Sequence, residues 1–532
     1  MQPALQGLSG GEAIDDVDRK APPTPKVARA RAAGKKVLIM AQGTRGDIQP
    51  IIALGQALKE AGFVVKFGTN VDHVGFVQNH GLDAAETALN FFEFMETKEI
   101  RDVMASGDMM SLDKIMVDKL KSCAPKSFSQ KIELIKSFRP DVMIGESKDD
   151  YDSRALADYF GIPVIMQYLY PNMLPSKHEM SFAGESIGPS RLLGTFIMKM
   201  IQSSDKKAKS EAMLKQMPEI EPHMMQSLRE RMLHLMNPIA PVLMAISPSL
   251  CQIRDDWPKE LKEHVHITGF WVVNKETQTR ALQRADSKFG GSSLDTLTEF
   301  LAKGDAPVYM GWGSMMAISG EHMTCLAVRS LMKSRSRGII LGGWAKLDAD
   351  MMQGQPDTPQ MVEYAKENVL FLKTAPHEWL FPQCACTVHH GGAGTTAAAL
   401  RSGRPTIITP CFGDQFFYAS AVAKAGVGVQ MKQFSKVTAD ALAQAISKAK
   451  APAMVQAASD LGERMMAEDG LGNAVKAVDN WIMDNVATGK YKEKREAQTK
   501  MIKQMRLHGE PSCFWWLGRL CCAGDAANSY TL

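Results

Sequence analysis

The sequence predicts an α/β protein of two Rossmann-like, doubly wound domains that face each other across a cleft. Three observations carry this expectation. Short apolar runs that end in glycine or a polar residue alternate with helical stretches, first over residues 35–169 and again from residue 307. Such alternation marks parallel strands joined by crossover helices. A polar stretch without apolar period separates the two sets, and 532 residues are too many for one ordinary core.

In chain order, residues 1–34 are expected to form a disordered polar leader. Residues 35–273 are expected to make the first domain. It opens with KKVLIMAQG (35–43), an apolar strand ending at a glycine. Ile51, Leu54, Leu58 and Ala61 then recur at helical spacing before a stop at Gly62. FVVKFGTN, PDVMIGES (140–147), a helix through RALADYFG, and IPVIMQYL (162–169) continue the rhythm. A methionine-rich helical segment at 176–240 interrupts it. Methionine fills irregular apolar space, which suits either a cap on the domain or an apolar acceptor pocket. Residues 274–304 are the expected linker. The second domain, 305–487, reads PVYMGWGS, GIILGGW, NVLFLKT, CTVHHGG, PTIITPCFGD and VGVQM as strands, then closing helices from 438. Ligands of such sheets bind outside the carboxyl ends of the strands.

Composition excludes several classes. With 45% hydrophobic and 23% charged residues the chain reads as soluble and globular, and a net charge of +4 gives no nucleic-acid footprint. No run approaches the roughly 18 apolar residues of a membrane span. The amino terminus lacks the apolar core of a secretion signal, and Glu12, Asp15, Asp16 and Asp18 argue against a transit peptide. Nine scattered cysteines fit a reducing, cytoplasmic setting. Cys384 and Cys386 have no second ligand pair nearby, and Asp348 and Asp350 lie in a polar loop, so no metal is expected.

The unusual residues gather in CTVHHGGAGTTAAALRSG. The strand ends at the histidines, and the helix is expected to begin near Thr395 and to end before Gly403. Gly391, Gly392 and Gly394 let a ligand approach the backbone. Free N–H groups and the dipole at a helix start suit phosphate. Thr395 and Thr396 can cap the helix and donate hydroxyls to the same oxygens, and a neutral His390 can donate to a second phosphate. PCFGDQ adds a carboxylate, Asp414, and an amide, Gln415, groups that match sugar hydroxyls. Alone, the first segment could be only a tight strand-to-helix turn and the second only a helix cap. Together they read as a nucleotide-sugar site.

The stretch TAPHEWLFPQCACTVHHGGAGTTAAALRSGRPTIITPCFGDQ resembles the donor-binding signature of UDP-sugar glycosyltransferases with two Rossmann-like domains, the GT-B type. Within that family it is most similar to the sterol 3-beta-glucosyltransferase branch and related bacterial natural-product enzymes. PVYMGWGSMM, RGIILGGWAKL, SPSLCQIRDDWPKELKEHVHITGFW and GTRGDIQP extend the likeness. The resemblance implies that His390, Gly392, Gly394, Thr395 and Thr396 hold the diphosphate, with Ser314 adding a contact. Asp414 and Gln415 would hold the sugar, the Ala375 backbone would read the uracil edge, Trp344 would stack, and His377 would lie near the ribose. Two positions depart from the plant branch: Ala398 replaces its ribose-binding glutamate and Thr374 its stacking tryptophan.

In GTRGDIQP (43–50) the plant branch places a histidine general base where this chain has Asp47. The resemblance therefore makes Asp47 the base, with Gly43, Thr44 and Arg45 lining the donor side. The plainer alternative is that Asp47 N-caps a helix starting at Ile48. The implied reaction is metal-free, cofactor-free, inverting transfer of a hexose, glucose by resemblance, from a UDP-sugar to a sterol or similar lipophilic alcohol. A non-sterol secondary metabolite as acceptor, or a catalytically silent UDP-sugar-binding protein, are the alternatives. The tail, 488–532, runs from Lys490, Lys492, Lys494, Arg495, Lys500, Lys503 and Arg506 to Phe514, Trp515, Trp516, Cys521 and Cys522. It suits a peripheral membrane anchor, acylated at the cysteines, or equally an ordinary solvated helix whose aromatics dock back on the first domain.

Overall fold

The computed structural model describes residues 27–88, 90–106, 109–146, 150–171, 181–182, 185–186, 210–224, 228–273, 294–315 and 318–507. Its first sheet contains β1 (Lys36–Met40), β2 (Val64–Asn70), β3 (Asp83–Ala88), β4 (Val142–Glu146) and β5 (Val164–Tyr168). A short pair, β6 (Ser181–Phe182) and β7 (Glu185–Ser186), stands apart, and β8 (Val242–Met244) and β9 (Val265–Ile267) complete the sheet in the order β3-β2-β1-β4-β5-β8-β9. The second sheet is built from β10 (Val308–Gly311), β11 (Gly338–Leu341), β12 (Val369–Leu372), β13 (Cys386–His389), β14 (Thr406–Ile408) and β15 (Gly428–Gln430), ordered β12-β11-β10-β13-β14-β15. Pairing within both sheets is parallel throughout. Continuous apolar strands such as KVLIM and VMIGE bury both faces, as a helix-covered parallel sheet requires.

Both sheets reverse direction of winding beside their first strand, between β1 and β4 and between β10 and β13. At such a switch point the two following loops part and leave a crevice. The crevices are lined by the loop after β1 in one domain and by the loop after β13 and the described residues after β10 in the other.

The helices that matter for the site are α1 (Arg45–Glu60), α2 (Val71–Asn79), α3 (Phe91–Met95), α4 (Asp150–Phe160), α5 (Leu228–Met236), α6 (Leu294–Ala302), α7 (Ala393–Arg401), α8 (Gln415–Lys424), α9 (Pro452–Met466), α10 (Gly470–Trp481) and α11 (Lys490–Leu507). One buried cluster runs from Ile51, Leu54 and Leu58 of α1 through Ala397 and Tyr418 of α7 and α8. It continues to Leu461, Met465, Val475, Val478 and Trp481 of α9 and α10. The closing helices thus seal the seam between the domains and pack on the first one, a correction to their assignment wholly to 305–487. The Tyr418 hydroxyl donates to the Leu169 carbonyl, and the Ser247 and Ser249 hydroxyls donate to Glu468 at 2.6 and 2.9 Å.

Two other expectations change. The expected linker 274–304 contains α6, because Leu297, Phe300 and Leu301 recur at helical spacing and pack against Tyr309 and Ile339; residues 274–293 lie outside the described ones. The end of the expected leader is bound. The Ala32 N–H donates to Asp479 at 2.7 Å, since that mostly buried carboxylate requires donors, while residues 1–26 lie outside the described ones. Much of the methionine-rich 176–240 segment also lies outside them, but Met213, Met217 and Met224 pack with Phe128 and Met143.

In the tail, α11 docks on the first domain, and residues 508–532, with the aromatic and cysteine positions, are not among those described. Arg495 Nε donates to Asp158 at 2.8 Å. Arg506 donates to both Glu230 oxygens at 2.8 and 3.2 Å and to the Met224 carbonyl at 2.7 Å. Glu230 is 3% exposed, so removing its arginine takes two charge-assisted hydrogen bonds from a buried carboxylate. Arg506→Ala is expected to lower unfolding free energy by about 3 kcal/mol, with Arg506→Ala/Glu230→Gln recovering part of that loss. The denaturant midpoints of the three proteins check it.

Candidate active site

The loop after β1 is held at nearly every backbone group. Gln42 N–H donates to Glu146 Oε2 at 3.1 Å and Gly43 N–H to Asn70 Oδ1 at 2.9 Å. His73 Nε2 donates to the Gly43 carbonyl at 3.1 Å. Gly43 sits at φ +130°, where a Cβ would lie 2.5 Å from Asp47 Oδ2. Only glycine lets the chain fold over the acid. Asn70, His73 and Glu146 were missed in the sequence, although each stands at or just beyond the carboxyl end of an apolar strand, the position where a site is expected.

Asp47 is not the cap of a helix beginning at Ile48. The helix starts at Arg45 with Thr44 as N-cap, and Asp47 is its third residue. The Thr44 N–H and hydroxyl donate to Asp47 Oδ2 at 2.8 and 2.9 Å, the reciprocal half of a capping box. Arg45 lays its guanidinium 5.2 Å from the Phe76 ring centroid and donates to Gln49 at 3.2 Å.

Across the cleft, α7 starts two residues earlier than expected. Gly392 is its N-cap, without a side-chain capping bond, and Ala393 is its first residue, because alanine and glycine enter a first turn without competing hydrogen bonds. The N–H groups of Ala393, Gly394 and Thr395 therefore form the open end of the helix. Thr396 is buried, and its hydroxyl donates back to the Gly392 carbonyl at 2.9 Å. Its expected phosphate contact gives way to a bond within the helix, while Thr395 remains partly exposed.

The two histidines divide their roles. His389 is fully buried; Gly391 N–H donates to its Nδ1 at 3.0 Å, so its proton lies on Nε2 and is donated to Thr406 Oγ1 at 2.8 Å. It braces the glycine turn. His390 lies between two glycines: a Cβ on Gly392 would approach its Nε2 to 2.5 Å and one on Gly313 its Cε1 to 3.2 Å. Its Nδ1 is buried and has no partner among the described residues. Burial lowers its pKa to about 4, opposed by the charge of Asp47. The first-domain acid and the second-domain histidine thus share one electrostatic environment.

The remaining candidates separate. Ser314 follows Gly313 in the turn beside His390 and is partly exposed. His377 is hydrogen-bonded through Nε2 to the Tyr309 hydroxyl at 3.0 Å and stacks on Phe381. Burial, then the positive charge of Arg45, takes its pKa down to about 3. Ala375 lies in the loop just before His377 and is partly exposed. Asp414 is partly exposed at the start of α8. Gln415 is 3% exposed, and its Oε1 accepts Cys411 N–H at 2.7 Å and Phe412 N–H at 3.2 Å. Its amide oxygen shapes the loop beside Asp414. The Trp344 ring is partly exposed and meets Phe92 of the first domain edge-on at 5.1 Å. Among the described residues no group of three or more His, Cys, Asp or Glu could hold a metal.

The two cradles meet. A Cβ on Gly394 would lie 3.9 Å from the Gly46 carbonyl oxygen, so the first turns of α1 and α7 abut. Two Rossmann-like domains that meet at the carboxyl ends of their strands are the architecture of the GT-B glycosyltransferases.

The chain shares this fold, and its sequence is similar to theirs in both domains. Residues 37–146 match the glycosyltransferase family 28 N-terminal domain, and residues 339–478 match the erythromycin biosynthesis protein CIII-like C-terminal domain. The chain is 27% identical over 478 residues to a sterol 3-beta-glucosyltransferase of Saccharomyces cerevisiae, a match covering 86% of this chain and 37% of that protein. It is 30% identical over 452 residues to one of Emericella nidulans, covering 83% and 30%. The chain thus spans little more than a third, or less, of these relatives. The glycosyltransferase of kitacinnamycin (TM-score 0.55, 16% identity, 84% of this chain and 99% of that one) and the spinosyn rhamnosyltransferase SpnG (0.52, 16%, 84% and 100%) share the fold.

Acid should weaken the fold through this site. The unfolded chain takes up a histidine proton near the ordinary value of about 6.5, whereas folded His390 does so only near 4. Stability is therefore lost as pH falls from about 6.5 towards 4. His390→Gln should make that decline shallower by about one proton, roughly 1.4 kcal/mol per pH unit, in unfolding curves from pH 7 to 4.

Proposed function

We propose that this chain transfers a hexose, glucose in the first instance, from a UDP-sugar to the hydroxyl of a sterol or similar lipophilic alcohol, with inversion. One observation carries the proposal: the first turn of α1, which holds Asp47, abuts the uncapped start of α7, and the histidine just before that start keeps a buried Nδ1 with no partner among the described residues. The similarity to sterol 3-beta-glucosyltransferases supports the choice of donor and acceptor class.

The diphosphate would rest on the N–H groups of Ala393, Gly394 and Thr395, with His390 Nδ1 and the Ser314 hydroxyl as further donors. Asp414 would accept hydroxyls of the sugar. His377 and the Ala375 backbone would border the nucleoside, and Arg45 would add positive charge from the first domain. The acceptor oxygen attacks the anomeric carbon from the face opposite UDP. Its proton passes to the Asp47 carboxylate, the new C–O bond forms, and the bond to the β-phosphate breaks with its electron pair leaving on UDP. An alpha-linked donor gives a beta-linked product.

A membrane-surface role for the tail fits this acceptor class. With Arg495 and Arg506 turned inward, Lys492, Lys494, Lys500 and Lys503 remain exposed on α11. Each lysine near an anionic surface contributes about 1 kcal/mol. Reversing all four to glutamate should abolish co-sedimentation with phosphatidylserine vesicles, and unchanged co-sedimentation would sink this part of the reading.

Transfer is tested by mass spectrometry after incubating the protein with UDP-glucose and a sterol mixture, where a new hexosylated sterol is expected. Asp47→Asn keeps an oxygen for the helix cap but cannot take a proton. It should lower turnover by about 10³-fold and leave UDP affinity, measured by calorimetry, nearly unchanged. Wild-type turnover in the variant would overturn the base assignment.

A further inference from the structure

Trp344 ties the donor site to an apolar wall of the first domain, and this link rests on a continuous series of contacts. The wall is α3, whose sequence FFEFM follows β3 at the carboxyl end of the sheet. Asn90 caps it by accepting Glu93 N–H at 3.1 Å, and Asp72 on α2 accepts Phe91 N–H at 3.0 Å. Phe94, Met95 and Ile100 are buried beneath, whereas Phe92 keeps 37% of its surface exposed. The only second-domain side chain in this cluster among the described residues is Trp344. Lys346 approaches Glu96 at 3.9 Å beside it.

Trp344 is in turn carried by the donor-side turn. Its N–H donates to the Gly313 carbonyl at 3.0 Å. Gly343, at φ +56°, comes so close that a Cβ there would lie 2.4 Å from the same oxygen. Gly313 itself abuts His390, whose Nδ1 has no partner within the described residues. A group that engages His390 therefore bears on the Gly313 turn, and that turn carries the indole.

We propose that Trp344 is a positioning residue that couples occupancy of the diphosphate site to the grip of α3 on a flat, apolar acceptor. The inference rests on the lipophilic-alcohol reading above and adds the residue through which donor and acceptor sites communicate. The acceptor lies along Phe92, and Trp344 closes over it from the donor domain. Binding of UDP fixes the Gly313 turn, and with it the indole edge against the wall. The coupling is reciprocal: acceptor tightens UDP by the same factor.

The test measures cholesterol binding, delivered from cyclodextrin, to the full chain with and without saturating UDP. UDP is expected to tighten cholesterol about tenfold in the wild type, within the usual range for coupled sites. Trp344→Ala should abolish the tightening and raise the cholesterol KM while leaving the affinity for UDP alone unchanged, and Trp344→Phe should restore part of it. A variant that is merely misfolded would lose UDP affinity as well. Equal tightening in wild type and Trp344→Ala overturns the coupling and leaves the sterol reading standing. No cholesterol binding by the wild type with UDP present overturns the sterol reading and the proposal built on it.

Discussion

The molecule is organised around the meeting of two helix N-termini, α1 and α7, at Gly46 and Gly394. Each end carries roughly half a positive charge and several unsatisfied N–H groups. Bringing them together is unfavourable unless negative charge lies between or beside them. The chain supplies one carboxylate, Asp47, held in the first turn of α1 by Thr44, and leaves α7 without any side-chain cap. That asymmetry leaves a site with an intrinsic demand for an anion on the second-domain side and a fixed acid on the first.

Everything else keeps those two ends in register. The seam is sealed by α9 and α10, whose buried residues share a cluster with α1 and α7. Polar contacts pin it at the Tyr418 hydroxyl and at Glu468. Gly269 and Gly470 approach so closely that a Cβ on Gly269 would lie 2.9 Å from Gly470 Cα. A cleft walled by two independently folded sheets would open freely; here the last helices of the chain cross back over the first domain and limit how far the ends can part.

The two doubly wound sheets were legible in the sequence because both-face burial makes each strand a continuous apolar run. The glycine turns were legible for the same local reason. Legibility failed where a residue's partner is remote in sequence. Gln415 stood out as an amide beside an acid, but its two backbone donors become visible only when the loop is folded. Trp344 read as a stacking surface, but nothing local reveals Phe92, some 250 residues earlier in sequence. The closing helices read as part of the second domain because periodicity gives a buried face but not the surface it meets. The roles of His389 and His390 depend on which neighbour receives Gly391 N–H, a fact of geometry and not of order.

The capping role of Asp47 bears directly on the chemistry proposed for it. Oδ2 accepts two hydrogen bonds from Thr44, and both are strongest while the carboxylate is charged. Taking a proton weakens them and removes the negative charge that offsets the α1 dipole, so protonation costs free energy in the helix as well as in the carboxyl group. A base of this kind cannot draw a proton from an aliphatic alcohol ahead of bond formation. In the proposed reaction it would do so as the departing diphosphate brought its own charge to the start of α7, across the Gly46–Gly394 contact. Negative charge would then shift from the first helix end to the second within one step. On that reading the abutting termini would make proton acceptance and leaving-group departure mutually dependent, which favours a single concerted displacement.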